Sequence, residues 1–148
     1  MDQDPYKPPT SDLDKGDPGR SNSFWWKFYC WFNASAMLIA MIALPQLEGQ
    51  TLLDTLDVAV SVVATVGLFG FAYYKPIYTM VFWRYFFYVA LLETLLYSVL
   101  LPALGVKRYG EVSALDGYYL FELGYATLML SALNMYAYKR PFIWRRAA

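Results

Sequence analysis

Histidine is missing from this sequence altogether, and cysteine occurs once, as Cys30. Without an imidazole there is no histidine-ligated haem, no histidine general base and no Ser-His-Asp triad. A lone thiol makes no intramolecular disulfide, no CxxC redox pair and no Cys/His zinc site. Charge is scarce too. Only 16% of the residues are Asp, Glu, Lys or Arg, against about 25% in soluble domains, and the formal net charge is zero. No global field draws in nucleic acid. Nor is there a glycine-rich phosphate loop, because the GLFG of Gly67–Gly70 lies within an apolar run. On these grounds no enzymatic activity, no metal and no cofactor are expected.

What fills the chain instead is apolar: 58% of its 148 residues are hydrophobic and 20% are aromatic. They come in blocks rather than in amphipathic periods, so lipid is the expected solvent. A helix crosses a bilayer with roughly 17–25 apolar residues. Four stretches fit: 28–46, ended by Pro45 and Gln46; 58–74, between Asp57 and Lys75 and open to lengthening by Leu52, Leu53 and Leu56; 85–106, whose only charge is Glu93; and 117–138, whose only charge is Glu122. Backbone amides in lipid need internal partners, so each block is a helix. The expected fold is all-α, an integral membrane four-helix bundle occupying residues 25–140.

Lysine and arginine set the direction, because cytoplasmic flanks carry their excess. Ten of the twelve fall before the first block, between the second and third, or after the fourth; only Lys107 and Arg108 lie on the opposite side. Both termini are therefore expected in the cytoplasm (N-in/C-in). Residues 1–24 hold four prolines and five aspartates with almost no aliphatic side chains. Such a segment cannot bury enough surface to offset chain entropy, so a disordered cytoplasmic tail is expected. It is unlike the short basic start of a cleaved signal peptide. A basic cytoplasmic tail, 141–148, closes the chain.

Tyrosine and tryptophan favour the headgroup level, which assigns Trp25, Trp26, Trp31, Trp83 and Trp144 to a cytoplasmic aromatic belt. Small residues at helical spacing let helices approach in lipid. Ala36 and Ala40 in the first block, Gly67 and Gly70 in the second, and Gly124 and Thr127 in the fourth are the expected packing positions. At ~1.5 Å per residue, Glu93 lies roughly 12 Å deep from the cytoplasmic end, close to the depths of Asn33, Thr65 and Ser131. A charge at that depth is costly and usually retained for a reason. These four residues are read as one buried polar layer, with burial favouring a neutral Glu93. Glu122 sits nearer the outer end, within reach of the interface or of Lys107 and Arg108.

DPYKPP at Asp4–Pro9, LDVAVSVVATVGLFGFAYYKPI at Leu56–Ile77, FWRYFF at Phe82–Phe87 and LNMYAYKRPFIW at Leu133–Trp144 span most of the chain. Together they resemble a group of uncharacterised small four-span inner-membrane proteins of proteobacteria with an NPYxPP-like N-terminal tail. The resemblance implies a multi-pass protein of the bacterial inner membrane and carries no activity with it. The small extramembrane loops and proline-rich tail suit a non-enzymatic accessory or interaction subunit of an inner-membrane assembly. Its partners would be membrane lipids and other membrane subunits or a second copy of itself. The alternative is a small oligomeric transporter or channel in which Glu93 couples protons or ions.

Overall fold

The computed structural model describes residues 24–43, 51–105 and 117–145, and every regular element among them is helical. Helix α1 is Phe24–Ala43 and α2 is Leu52–Ala72. Helix α3 runs over Met80–Ala103 and contains a π-helical segment, Leu95–Leu100. Helix α4 is Gly117–Asn134 and runs on through a second π-helical segment, Met135–Lys139. A single turn, α5, covers Phe142–Arg145.

Helices α2 and α3 start earlier than residues 58 and 85, where their apolar blocks begin, because polar caps rather than hydropathy set their N-termini. Thr51 and Asp54 form a capping box, each side chain accepting from the other's backbone N–H, at 2.9 and 3.2 Å. Charged Asp54 and Asp57 thus belong to α2 rather than to a preceding loop. Thr79 caps α3 by accepting from the Phe82 N–H at 3.2 Å, which puts Met80 inside the helix.

Both π segments precede a proline. Pro102 has no N–H for the Ser98 carbonyl, and its ring crowds that turn. The helix widens there, and the Leu101 N–H reaches back to Leu96 O. Pro141 does the same to Ala137, whose carbonyl accepts from Arg84 Nε at 3.5 Å instead.

Two helices, Leu52–Ala72 and Met80–Ala103, are long and apolar enough to cross a membrane. Helices α1 and α4 are of similar length but diluted, α1 by Lys27 and Asn33 and α4 by Glu122 and tyrosines. The outward faces are nonetheless apolar, with Leu38, Ile39 and Ile42 of α1 and Val89 and Leu92 of α3 exposed.

Helix α2 packs on α1, α3 and α4, and the densest core lies beside the α2–α3 connection. Leu68, Phe71, Trp83, Leu133, Tyr136 and Ile143 are all at most 2% exposed there. The connection itself bends through Tyr74 and Tyr78, both in the left-handed region at φ 53° and 62°. Non-glycine residues held there cost about 1 kcal/mol or more each. Tyr136 fixes the bend: its hydroxyl donates to Lys75 O at 2.7 Å and accepts from the Ile77 N–H at 2.9 Å. Trp83 Nε1 adds a bond to Ile77 O at 2.5 Å.

Residues Phe142–Arg145, read from sequence as part of a basic tail, form the helical turn α5. Ile143 is buried, Trp144 Nε1 donates to Tyr136 O at 3.1 Å, and the Arg140 guanidinium sits 4.5 Å over the Phe71 ring. The expected disordered tail, apart from Phe24, and the segment holding Lys107 and Arg108 lie outside the described residues.

Candidate functional site

At the end remote from the α2–α3 connection the four long helices are lined by small residues, and they do not close. Ala36, Ala40 and Ala43 of α1 recur on one helical face, as do Asp57, Ser61 and Ala64 of α2. Ala90 of α3 and Ala126 of α4 complete the small-residue lining. Between them is a cavity of about 420 Å³. Ala64, Ala90 and Met129, all buried, mark where it meets the aromatic core.

Three carboxylic acids line this space, each from a different helix: Asp57 of α2, Glu93 of α3 and Glu122 of α4. Tyr97, Phe121 and Tyr125 supply aromatic rings, while Met37, Val60 and Leu130 supply aliphatic wall. No lysine or arginine is among the described lining residues.

Hydrogen bonds hold the surrounding helices in register. Tyr97 and Ser98 are buried within the π segment of α3. The Tyr97 hydroxyl donates to Asp54 Oδ1. The other oxygen of Asp54 accepts from Thr51 N and Thr51 Oγ1 at 2.9 and 2.8 Å. Ser98 Oγ donates to Glu122 Oε1 at 3.0 Å. Glu122 is therefore level with a point five residues beyond Glu93, roughly 7.5 Å further along α3.

Helices α1 and α4 are tied reciprocally. The Tyr125 hydroxyl donates to Asn33 Oδ1, Asn33 Nδ2 donates to Tyr29 O at 2.9 Å, and the Tyr29 hydroxyl donates to Tyr125 O at 2.8 Å. Asn33 is 1% exposed, so this amide is satisfied by protein rather than by water.

Depth alone proves a poor guide to which polar groups meet. Of the expected layer, Glu93 lines the cavity, and Asn33 reaches its edge through Tyr125. Thr65 and Ser131 do not join them. Thr65 Oγ1 donates to Ser61 O at 2.8 Å and lines a separate 210 Å³ recess with Cys30 and Phe69. Ser131 is exposed, and its Oγ donates to Thr127 O at 2.8 Å. Both hydroxyls find an acceptor one turn back in their own helix, which satisfies them without any partner helix.

The packing residues also divide. Ala36 and Ala40 line the cavity. At Gly67 an added Cβ would come within 2.5 Å of the Trp83 ring and 2.7 Å of Leu133, and at Gly70 it would run into the Tyr136 phenol. Gly124 and Thr127 face outward, with nothing within 4 Å of a Cβ at Gly124.

Of the expected aromatic belt, Trp25 and Trp31 are exposed, and Trp31 Nε1 donates to Tyr73 Oη at 2.8 Å. Trp26 is half-buried, edge-on to Phe71 at 5.0 Å, and Trp144 packs on Tyr136 at 4.8 Å. Trp83 does not belong to the belt: it is 2% exposed, because Gly67 makes room for its ring and Ile77 accepts its N–H.

Sequence reasoning missed Asp54, Asp57, Tyr97, Ser98 and Tyr125. The T-x-x-D of Thr51–Asp54 was a readable capping signal that would have drawn both aspartates into α2. Glu93 and Tyr97, four residues apart, share one face of α3, whereas Ser98 joins them only because the π segment turns the helix there. No family model, curated protein or solved structure matches the chain.

Proposed function

We propose that this chain spans a bacterial inner membrane four times, with both termini in the cytoplasm, and binds a small solute in the cavity between its helices as a carrier or channel unit. The observation that carries the reading is the cavity of about 420 Å³ with Asp57, Glu93 and Glu122 on its walls. Ionisable groups in membrane segments generally face a bundle interior or a water-filled space and mark solute or ion routes. The cavity lies at one end of the bundle, and the aromatic core closes the other. One-sided access of that kind is what a solute site in a carrier requires. The exposed apolar faces of α1 and α3 suit contact with acyl chains.

The test is accessibility of the cavity to water. In a Cys30→Ala background, Ala126→Cys should react with a small water-soluble thiol reagent added to the non-cytoplasmic face. Leu128→Cys, two residues on and outward-facing, should stay inert. An inert Ala126→Cys would sink the reading.

A second reading is an accessory subunit of a larger membrane assembly. It is favoured by one observation, the exposed Gly124, Thr127 and Ser131 on one side of α4. Small residues are what helix–helix contact in lipid employs. Purification in mild detergent with a stoichiometric larger partner would favour this reading over a solute carrier.

A further inference from the structure

We infer that the cavity between the four long helices takes a bulky organic cation, a quaternary ammonium or phosphonium centre carrying apolar substituents. The inference rests on the reading of that cavity as a solute site and narrows it to a chemical class.

Size comes first. About 420 Å³ lies within the roughly 300–1,000 Å³ of small-molecule pockets and far exceeds the ~30 Å³ of one water. The acids are also distributed unlike metal ligands. Asp57, Glu93 and Glu122 enter from three helices, and among the described residues no three Asp, Glu, Cys or His side chains gather to hold one ion. A metal needs convergent ligands at short range. A large cation with diffuse charge is stabilised by carboxylates spread around it.

The rest of the wall suits the substituents and the charge together. Tyr97, Phe121 and Tyr125 present rings, and aromatic faces attract quaternary ammonium ions. Met37 and Leu130 offer apolar contact.

The charge balance of the sequence points the same way. From Glu48 to Glu122 the sequence holds seven carboxyl groups. Apart from Lys75 and Arg84 beside the α2–α3 connection, its only cations are Lys107 and Arg108. Even with all four cations of that stretch paired to acids, the stretch keeps an acidic excess of three. That excess raises the local concentration of cations and repels anions.

The experiment compares two ions of the same shape and opposite charge on the full chain in lipid nanodiscs. Binding of tetraphenylphosphonium and of tetraphenylborate is measured by equilibrium dialysis, with the uptake of empty nanodiscs subtracted. The expected result is saturable binding of the phosphonium alone. Glu93→Gln should weaken it about tenfold, ~1.4 kcal/mol. The isosteric set Asp57→Asn, Glu93→Gln and Glu122→Gln should abolish it.

Equal binding of both ions, or phosphonium binding unmoved by the three substitutions, would overturn the cation assignment while leaving a solute cavity in place. Binding of neither ion also overturns it, and the Ala126→Cys reactivity then decides separately whether the cavity is open. The comparison of the two ions needs no variant, so a substitution that fails to fold does not rescue the inference.

Discussion

Glycine shows how far a residue's role depends on what faces it. By intrinsic propensity, Gly→Ala inside a helix gains up to about 1 kcal/mol. At Gly70 that gain is outweighed. The new methyl would meet the Tyr136 phenol and stand 3.0 Å from Lys75 O. Both are fixed, because Tyr136 is 0% exposed and its hydroxyl holds the connection at Lys75 and Ile77. Gly70→Ala should therefore destabilise by about 1–3 kcal/mol, the usual cost of overpacking. At Gly124 nothing lies within 4 Å, so Gly124→Ala should stabilise or be neutral. Thermal unfolding of the two variants in one detergent checks the opposite signs. Both glycines read alike in sequence, as small residues at helical spacing. The difference comes from Tyr136, which arrives from another helix, and no local pattern announces it.

At the scale of elements, the π segment of α3 links a proline to the cavity. A π turn fits one extra residue into the helix, so the residues on either side are rotated by about 100° relative to a regular α-helix. Tyr97 and Ser98 lie inside that segment, and they bond Asp54 and Glu122 on two other helices. Pro102 sets the widening by withholding an N–H from Ser98 O. Pro102→Ala restores that donor and should let α3 tighten. The helix itself should be no less stable, since proline costs ~3 kcal/mol in a helix interior. Ser98 should turn away from Glu122. The readout is tetraphenylphosphonium binding beside thermal unfolding: binding falls while the unfolding temperature holds or rises. An unchanged affinity would mean that the π segment does not position the cavity wall. The existence of the helices was legible in the apolar blocks, because a long uncharged run has few alternatives in lipid. Their ends were less so, since the caps Thr51, Asp54 and Thr79 are polar and lie outside the apolar blocks. The cavity partners were not legible either. Tyr97–Asp54 and Ser98–Glu122 join residues 43 and 24 positions apart, and their meeting depends on which helices pack and in what register.

For the whole molecule, the decisive quantity is the number of crossings. The cations gather at the α2–α3 connection and in the N- and C-terminal segments, while the cavity acids lie toward the other end. A four-span arrangement puts the connection and both termini on one side, as cation bias requires of cytoplasmic flanks. If only α2 and α3 crossed, the connection would face one compartment and both termini the other. The sidedness of Tyr78 relative to Ala147 therefore separates the two arrangements, where comparing the two termini alone does not. Tyr78 is 76% exposed, so a thiol there should be reachable. With Cys30 replaced by Ala, Tyr78→Cys and Ala147→Cys should both resist a membrane-impermeant maleimide on intact cells and react once the membrane is opened. Lys107→Cys should react on intact cells. If Tyr78→Cys and Ala147→Cys label from opposite sides, α1 and α4 do not cross. The acids of α2, α3 and α4 would then not share a cavity within a four-span bundle, and the proposed solute site would fall with the topology.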